Sequence, residues 1–161
     1  MSDVIHLSKA THERLTAEHG DLTTRGRIDI AQIIERAREL GDLSENGDYH
    51  AAKDFQGMME ARIRTVHTIL AKAVVVEDAK DGVAGPGTIV TIVYEGDDDD
   101  MAETYLVGHM EERVEGVVGH EIVSPGSPMG QALLGALTGQ TVSYQAPGGQ
   151  LRVKVLDVKK V

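Results

Sequence analysis

Residues 41–50 read Gly-Asp-Leu-Ser-Glu-Asn-Gly-Asp-Tyr-His and separate two long segments that both have helical periodicity. Gly, Asn and Asp end and restart helices at low cost, so this stretch predicts a tight connection between two helices. Because so short a connection makes neighbouring helices antiparallel, we expect a helical hairpin. The connection also places three carboxylates at the end of the hairpin, those of Asp42, Glu45 and Asp48.

The segment after the connection has apolar residues at alternating steps of three and four, which is the heptad pattern of a coiled coil. Its heptad positions are occupied by Tyr49, Ala52, Gln56, Met59, Ile63, Val66, Leu70 and Ala73. The corresponding stripe before the connection is formed by Leu15, Leu22, Ile30, Ile33, Ala37 and Leu40. Because a straight helix drifts by roughly 20° per heptad, a one-residue change of phase is expected near Gly26. The pattern predicts two helices that pack along one seam as an antiparallel coiled coil.

The composition of the 161-residue chain narrows the class of protein. With 41% hydrophobic residues but only four Tyr, one Phe and no Trp, the core must be aliphatic. The absence of Cys excludes disulfides, thiolate nucleophiles and Cys-type zinc sites. His12 and His19 have no third candidate ligand nearby, so we expect no metal site there. No apolar run approaches the roughly 20 residues of a membrane span and the first residues lack a secretory signal, so we expect a soluble, cytoplasmic protein.

The net charge of −10 is unevenly distributed along the chain. Residues 1–75 hold 12 acidic and 10 basic groups (net −2), whereas residues 76–161 hold 14 and 6 (net −8). Because non-specific binding to nucleic acid depends on a basic surface, free nucleic acid is not expected to be the main partner. Basic residues nevertheless gather on both arms of the hairpin, at Arg36, Arg38, Lys53, Arg62 and Arg64. They are either ordinary helix-surface charges or contacts to a phosphate backbone that another protein presents.

The character of the sequence changes after residue 76, where a stretch rich in Gly, Pro and Asp follows three valines. We therefore predict a helical domain over 1–76 and a globular domain over 77–161. Strand signals separated by turn residues are found at Thr88–Tyr94, Glu103–Val107, Glu121–Ser124, Thr141–Gln145 and Leu151–Val158. A helix start precedes one short helix with three leucines on one side, Leu133, Leu134 and Leu137. The second domain is predicted to be α+β, with this helix packed on a small, mostly antiparallel sheet.

Asp42 and Glu45 are the first candidates for chemistry, and Asp48 is the third. Their spacing of three residues places Asp42 and Glu45 on one face of a helical tip, and in a turn both still point beyond the end of the hairpin. Two exposed carboxylates do not hold Mg²⁺ alone, because this ion takes six oxygens that it usually shares with waters and phosphates. A partner that already holds one divalent ion and a phosphodiester would supply the missing ligands for two-metal phosphoryl hydrolysis. Helix capping and solubility are the alternative explanation for an acidic loop.

The sequence from Ile33 to Ile63 closely resembles the signature of the Gre family of bacterial transcript-cleavage factors. The resemblance rests on the core Ala37-Arg-Glu-Leu-Gly-Asp-Leu-Ser-Glu-Asn-Gly-Asp-Tyr-His-Ala-Ala-Lys53 and the following Gln56-Gly-Met-Met-Glu-Ala-Arg-Ile63. The second half is similar to the family's C-terminal domain at Ser127-Pro-Met-Gly130, Thr141-Val and Pro147-Gly-Gly-Gln-Leu-Arg-Val-Lys-Val155. The resemblance therefore spans essentially the whole chain, and the tip and the modest basic content are closer to the GreA branch than to the GreB branch.

The resemblance implies an N-terminal antiparallel coiled coil and an FKBP-like C-terminal domain that docks on RNA polymerase at the rim of its secondary channel. The hairpin would enter the channel, where Asp42 and Glu45 match the family's tip carboxylates that complete a second Mg²⁺ site in the polymerase active centre. Backtracked nascent RNA would then be cut by the polymerase itself and arrested complexes rescued, so the chain is implied to be an activator and not an enzyme. It would bind no cofactor alone and no small-molecule substrate, and we expect a monomer.

Further residues match family positions with supporting roles. The tip would be shaped by Gly41, Asn46 and Tyr49. Contacts to the extruded RNA near its 3′ end would come from Arg38 and Lys53. The polymerase-docking region would include Ser127, Pro128 and Met129, although a plain helix start explains the first two equally well.

The sequence departs from the family pattern at a few positions. Gly47-Asp48 replaces the commoner Ala-Glu, which keeps the acid but weakens the helix start by about 1 kcal/mol. Gln131 and Ala136 stand where the family often has basic residues, so the docking surface is less basic than usual.

Two other functions are open to the same scaffold. A channel-occupying inhibitor would slow elongation without RNA cleavage, although the intact spacing of Asp42 and Glu45 argues for cleavage. A prolyl isomerase, which an FKBP-like fold allows, is disfavoured because such pockets are lined with aromatic residues. The only aromatic residues in the C-terminal half are Tyr94, Tyr105 and Tyr144.

Overall fold

The computed structural model describes residues 4–42, 45–77, 80–112 and 120–160. The chain divides into two compact units, one formed by His12–Lys72 and the other by Met1–Thr11 together with Ala73–Val161. This grouping differs from the predicted division after residue 76, because strand β1 (Ile5–Leu7) pairs in parallel with strand β2 (Ala73–Val75). In the described parts of the chain, no helix is long and apolar enough to cross a membrane.

The helical unit is the hairpin that the sequence predicts. Its first arm consists of α1 (Lys9–Asp21), a π-helical turn (Leu22–Gly26) and α2 (Arg27–Glu39), and its second arm is α3 (Gly47–Lys72). The first turn of α1 belongs to the globular unit. The arms pack through an aliphatic cluster of Ile30, Ile34, Ala52, Met59 and Ile63. This cluster holds the two helices together up to the tip.

A π-helical turn at Leu22–Gly26 lies where the sequence predicts a one-residue change of phase. A π turn holds one more residue than an α turn, so it moves the apolar stripe by one position within a continuous helix. Thr23 Oγ1 and Thr24 Oγ1 each donate to the carbonyl four residues earlier, both at 2.7 Å, and so support the irregular turn. A Cβ on Gly26 would lie 3.2 Å from Met59 Sδ, so glycine lets the two arms approach closely at this point.

Three positions of the predicted seam are wrong. Ile34 is buried at 8% exposure, whereas Ile33 is 48% exposed. In α3, Ile69 is buried in place of Leu70, which is only partly buried. Leu40 is 71% exposed because α2 ends at the preceding residue. Steps of three and of four both return to the same helix face, so spacing alone does not choose between neighbouring apolar residues.

The globular unit contains a five-stranded sheet. Its strands are β3 (Thr88–Tyr94), β4 (Glu103–Val107), β5 (Glu121–Val123), β6 (Thr141–Ala146) and β7 (Gly149–Lys160). The strand order is β5-β4-β3-β7-β6, and β4 and β5 are parallel whereas the other neighbours are antiparallel. All five predicted strands are confirmed, with ends that differ by at most two residues. Strands β1 and β2 were not predicted, because three residues are too few to show a period.

The core of the globular unit lies between this sheet and α4 (Pro128–Leu133). Leu133 is fully buried there, and the sheet contributes Val90, Ile92, Val107, Val153, Val155 and Val158. Of the three leucines predicted to share one side of the helix, Leu134 and Leu137 are 42% and 52% exposed. The helix ends at Leu133, so the later leucines no longer follow helical periodicity, and Ala136 is buried instead.

A buried carboxylate, that of Glu112, anchors the N-terminal segment within the globular unit. Glu112 is 2% exposed and accepts hydrogen bonds from Ser8 N at 2.7 Å, Ser8 Oγ at 2.8 Å and Thr11 Oγ1 at 2.7 Å. These residues open α1, and the positive dipole end of a helix favours an anion. Gly108 leaves the necessary room, since a Cβ there would lie 2.8 Å from Glu112 Cγ. The bonds join positions 101 and 104 residues apart, which no local pattern reveals.

We expect Glu112→Ala to lower the free energy of unfolding of the globular unit by about 2–4 kcal/mol, because three donors lose their charged acceptor. Glu112→Gln keeps one acceptor oxygen and should cost less. Urea unfolding followed by circular dichroism measures both changes. Glu121→Ala, at an exposed position of β5, is the control. Equal midpoints for the two alanine variants would contradict the anchoring role.

Candidate functional site

The tip of the hairpin begins where α2 ends. In its tightened last turn, the N–H groups of Leu40 and Gly41 donate to the carbonyls of Ala37 and Arg38, each at 3.2 Å. Gly41 has a φ of 108°, a region that side-chain-bearing residues rarely adopt. Gly41 therefore ends the helix and turns the chain toward the second arm, as glycine at this position of a helix commonly does.

Asn46 joins the two arms through its side-chain amide. Its Oδ1 accepts from the Tyr49 N–H at 3.1 Å, which caps the start of α3. Its Nδ2 donates to the carbonyl of Ala37, near the end of α2, at 2.5 Å. One partly buried side chain thus bonds to an N–H group at the start of α3 and to a carbonyl near the end of α2, where helices leave backbone groups without their usual i, i+4 partners. This arrangement fixes where α3 starts with respect to the end of α2.

Three further side chains that the sequence singles out lie directly behind the tip. Tyr49 is partly buried against the hairpin core, and Arg38 Cζ lies 5.7 Å from the centre of its ring. At this distance the guanidinium is attracted to the ring, so Arg38 is held beside the tip although it is exposed. Lys53 is exposed on α3, and its Nζ donates to Gln56 Oε1 at 2.9 Å. The two cations are therefore accessible on opposite arms.

The three acidic residues of the tip, Asp42, Glu45 and Asp48, are all exposed. They line an open depression of about 370 Å³, whose other lining residues are Leu40, Asn46 and Gly47. The Glu45 N–H donates to the Asp42 carbonyl at 3.3 Å, which keeps these two residues close together. The tip therefore brings the predicted carboxylates together around one solvent-facing depression.

Exposed carboxylates of this kind bind a divalent cation when other molecules complete its ligand shell. Among the residues that the structure describes, no group of three or more His, Asp or Glu side chains is arranged to hold a metal ion. His19, a possible metal ligand from the sequence alone, packs against His67 of the other arm. The centres of the two rings lie 5.7 Å apart and the rings are tilted with respect to each other. The exposed carboxylates of the tip fit a divalent cation only where other ligands complete its shell.

The structure places Ser127, Pro128 and Met129 at the start of α4 in the globular unit, not in the helical unit with the tip. Ser127 Oγ accepts from the Gly130 N–H at 3.1 Å and donates to the Ser124 carbonyl at 2.7 Å, so Ser127 caps the helix. A Cβ on Gly130 would lie 1.9 Å from that carbonyl, so the helix start packs tightly on the preceding loop. Pro128 is exposed and Met129 is partly buried.

The three tyrosines of the globular unit come together on its core, which their spacing in the sequence did not reveal. Tyr94 OH lies 3.3 Å from Tyr144 OH, and Tyr105 OH donates to Glu103 Oε2 at 2.5 Å. Burial, with the hydrogen bond to Tyr94, raises the pKa of Tyr144 to about 12. Burial and the Glu103 carboxylate raise the pKa of Tyr105 well above its ordinary value. The phenols of Tyr105 and Tyr144 therefore stay protonated near pH 10, where an exposed tyrosine is half ionised.

We expect Asn46→Ala to loosen the tip by about 1–2 kcal/mol, because it removes the cap of α3 and the bond to α2 together. Asn46→Asp keeps an acceptor for the Tyr49 N–H but cannot donate to the Ala37 carbonyl, so it separates the two bonds. Hydrogen exchange at the Tyr49 amide measures the opening. Exchange should accelerate in the alanine variant and less in the aspartate variant. Wild-type exchange rates in both would show that Asn46 does not hold the tip.

Two family models match the chain, "Transcription elongation factor, N-terminal" over residues 5–75 and "Transcription elongation factor, GreA/GreB, C-term" over residues 79–160. The transcription elongation factor GreA of Mycobacterium tuberculosis is 44% identical over 150 residues, which cover 92% of this chain and 89% of that protein. GreA of Rhodococcus erythropolis is 41% identical over 160 residues, with coverages of 98% and 96%. The solved structure of the transcription factor Gfh1 covers 98% of this chain and 99% of its own, with 28% identity and a TM-score of 0.47. The chain belongs to the GreA/GreB family of transcription elongation factors, on its GreA side.

Proposed function

We propose that this chain is a transcription elongation factor that enters the secondary channel of RNA polymerase and stimulates the polymerase to cleave backtracked nascent RNA. Cleavage would rescue arrested complexes by creating a new RNA 3′ end. The observation that carries the proposal is the exposure of Asp42 and Glu45 at a tip that Gly41 and Asn46 shape from both helix ends. Membership of the GreA/GreB family supports RNA polymerase as the partner.

The globular unit is proposed to dock at the rim of the channel through a surface that includes Ser127, Pro128 and Met129. The exposure of Pro128 at the start of α4 supports this role, since a docking residue must be accessible. Tight packing of Gly130 on the preceding loop supports it as well, because a helix start that is already ordered loses less conformational entropy on binding. The factor is proposed to act in the cytoplasm as a monomer, with an FKBP-like globular unit and a coiled-coil hairpin.

In the complex, Asp42 and Glu45 are proposed to donate ligands to a second Mg²⁺ that the polymerase and the RNA also hold. When bound, such an ion stabilises the negative charge that develops during phosphodiester hydrolysis. Both carboxylates are exposed between the end of α2 and the capped start of α3, so they reach a partner without any helix unfolding. The bond-breaking machinery belongs to the polymerase, and the chain acts as its activator.

Arg38 and Lys53 are proposed to contact phosphates of the extruded RNA near its 3′ end. Both are exposed close to the tip, one on each arm. The contact of Arg38 with the Tyr49 ring does not consume guanidinium N–H groups, which remain available for a phosphate. Two cations in these positions would offset the repulsion between the tip carboxylates and the RNA backbone.

Asp42→Asn and Glu45→Gln should each reduce RNA cleavage by about 100-fold. Each would remove one carboxylate ligand of the Mg²⁺ that stabilises the charge developing on the phosphodiester. Binding to polymerase should stay nearly unchanged, since both residues are exposed and lie outside the hairpin core. The measurement is RNA cleavage with Mg²⁺ in a stalled, backtracked elongation complex of the cognate polymerase. Asp54→Asn, an exposed acid on α3 outside the tip depression, is the matched control.

Each outcome of this assay has a separate meaning. Wild-type protein that binds the polymerase and slows RNA synthesis without cleavage would replace the proposal with the channel-occupying inhibitor. Cleavage retained by both carboxylate variants would exclude the tip as the source of ligands. Loss of polymerase binding in these variants would indicate that the carboxylates support docking and not the reaction.

A further inference from the structure

A second surface lies beside the acidic tip, between α2 and α3. It is a groove of about 590 Å³ with a floor of buried hairpin residues, and we call it the apolar groove. Ile33 and Leu40 line it from the first arm, and Phe55 lines it from the second. Its two charged residues are Arg36 and Asp48. The groove is therefore an open apolar surface with one charge of each sign.

The apolar side chains along this groove are far more exposed than the residues that pack the two arms together. Phe55, the single Phe of the chain, is 60% exposed, Leu40 is 71% exposed and Ile33 is 48% exposed. Scattered exposed apolar residues are ordinary, but here three from both arms lie along one groove. The groove also shares Leu40 and Asp48 with the tip depression. A partner that surrounds the tip would therefore cover the groove as well.

The charge around the groove indicates whether its partner is RNA, a second copy of the chain or a segment of another protein. Residues 35–56 carry six acidic and three basic side chains, a net charge of −3. This surface offers no excess positive charge to hold RNA along the groove beyond the local contacts of Arg38 and Lys53. It also repels a second copy of itself. An acidic surface around an apolar groove instead complements a protein segment that has apolar side chains flanked by basic ones.

The geometry of the groove narrows the form of that segment. A groove between two antiparallel helices accepts the apolar face of an amphipathic helix. The apolar anchor residues of such a helix follow a spacing of i, i+3 or i+4, and i+7. The eight residues from Ile33 to Leu40 extend about 10 Å along the end of the first arm, which is about two turns of a partner helix. Two or three anchor side chains would therefore reach the apolar groove.

We propose that the apolar groove binds an amphipathic helix of RNA polymerase that carries apolar anchors flanked by Lys or Arg. The inference rests on the proposed function, because it assigns a second contact to the same partner beside the tip. Seating such a helix in the groove adds affinity, and it restricts rotation of the hairpin about its own axis. The carboxylates of the tip are thereby oriented by a contact that lies next to them.

Phe55→Ala tests the inference, because Phe55 is exposed and alanine favours a helix, so the variant should fold. Met58→Ala is the matched control, since Met58 is 72% exposed on the same helix but does not line the groove. Affinity of the full chain is measured by titration against purified polymerase without nucleic acid. We expect Phe55→Ala to weaken binding about tenfold, as loss of an aromatic anchor does, and Phe55→Leu to retain most of the affinity. Met58→Ala should bind like wild type.

Several results would overturn the inference. Equal affinities of Phe55→Ala and Met58→Ala would do so while leaving the tip mechanism intact, since the Asp42→Asn cleavage assay tests that mechanism separately. Weakening by Phe55→Ala only in complexes with extruded RNA would identify RNA as the occupant. A change in the oligomeric state of the free chain, measured by sedimentation, without a change in polymerase affinity would identify a second copy. Absence of wild-type binding to polymerase would overturn both this inference and the proposed function.

Discussion

Two helix ends that meet in a tight hairpin leave backbone N–H and carbonyl groups without their regular helical partners. These groups need other hydrogen bonds if the tip is to hold its charged side chains in one arrangement. Gly41 closes the last turn of α2 through its positive φ, and the amide of Asn46 serves both helices at once. Asp42 and Glu45 lie between these two residues and remain exposed. The backbone of the tip is thus organised by its neutral residues, and its acidic residues are left on the surface.

The globular unit depends on a constraint of a different kind. A buried carboxylate is tolerated only with charged partners or several hydrogen bonds, and Glu112 has three bonds from two residues at the start of α1. The same N-terminal segment also pairs with β2 through β1. Residues 5–11 are thus held by backbone pairing and by a polar anchor, and α1 begins within this anchored segment.

The hairpin and the five-stranded sheet were predictable because each rests on local periodicity, and the residues of the tip were predictable because Gly, Asn and Asp have strong helix-end preferences. The burial of Ile34 in place of Ile33 could not be predicted, since adjacent apolar residues fit the same spacing. The buried hydrogen bonds of Glu112 could not be predicted either, because its partners lie about a hundred residues away in the sequence. At the tip, the sequence indicates that Asn46 matters, but its bond to Ala37 follows only from the fold.

The π turn at Leu22–Gly26 has a consequence for the direction in which the tip faces. Successive residues of an α-helix are rotated by about 100° around the axis, so a single additional residue changes the azimuth of everything that follows. The wider π turn absorbs this rotation, so closing the turn into a regular α-helix while all five residues are kept would rotate α2 by about 100° with respect to α1. Either α2 would lose its contact with α3, or the carboxylates of the tip would face a different side of the hairpin. The π turn thus sets the rotational alignment of a surface more than ten residues away.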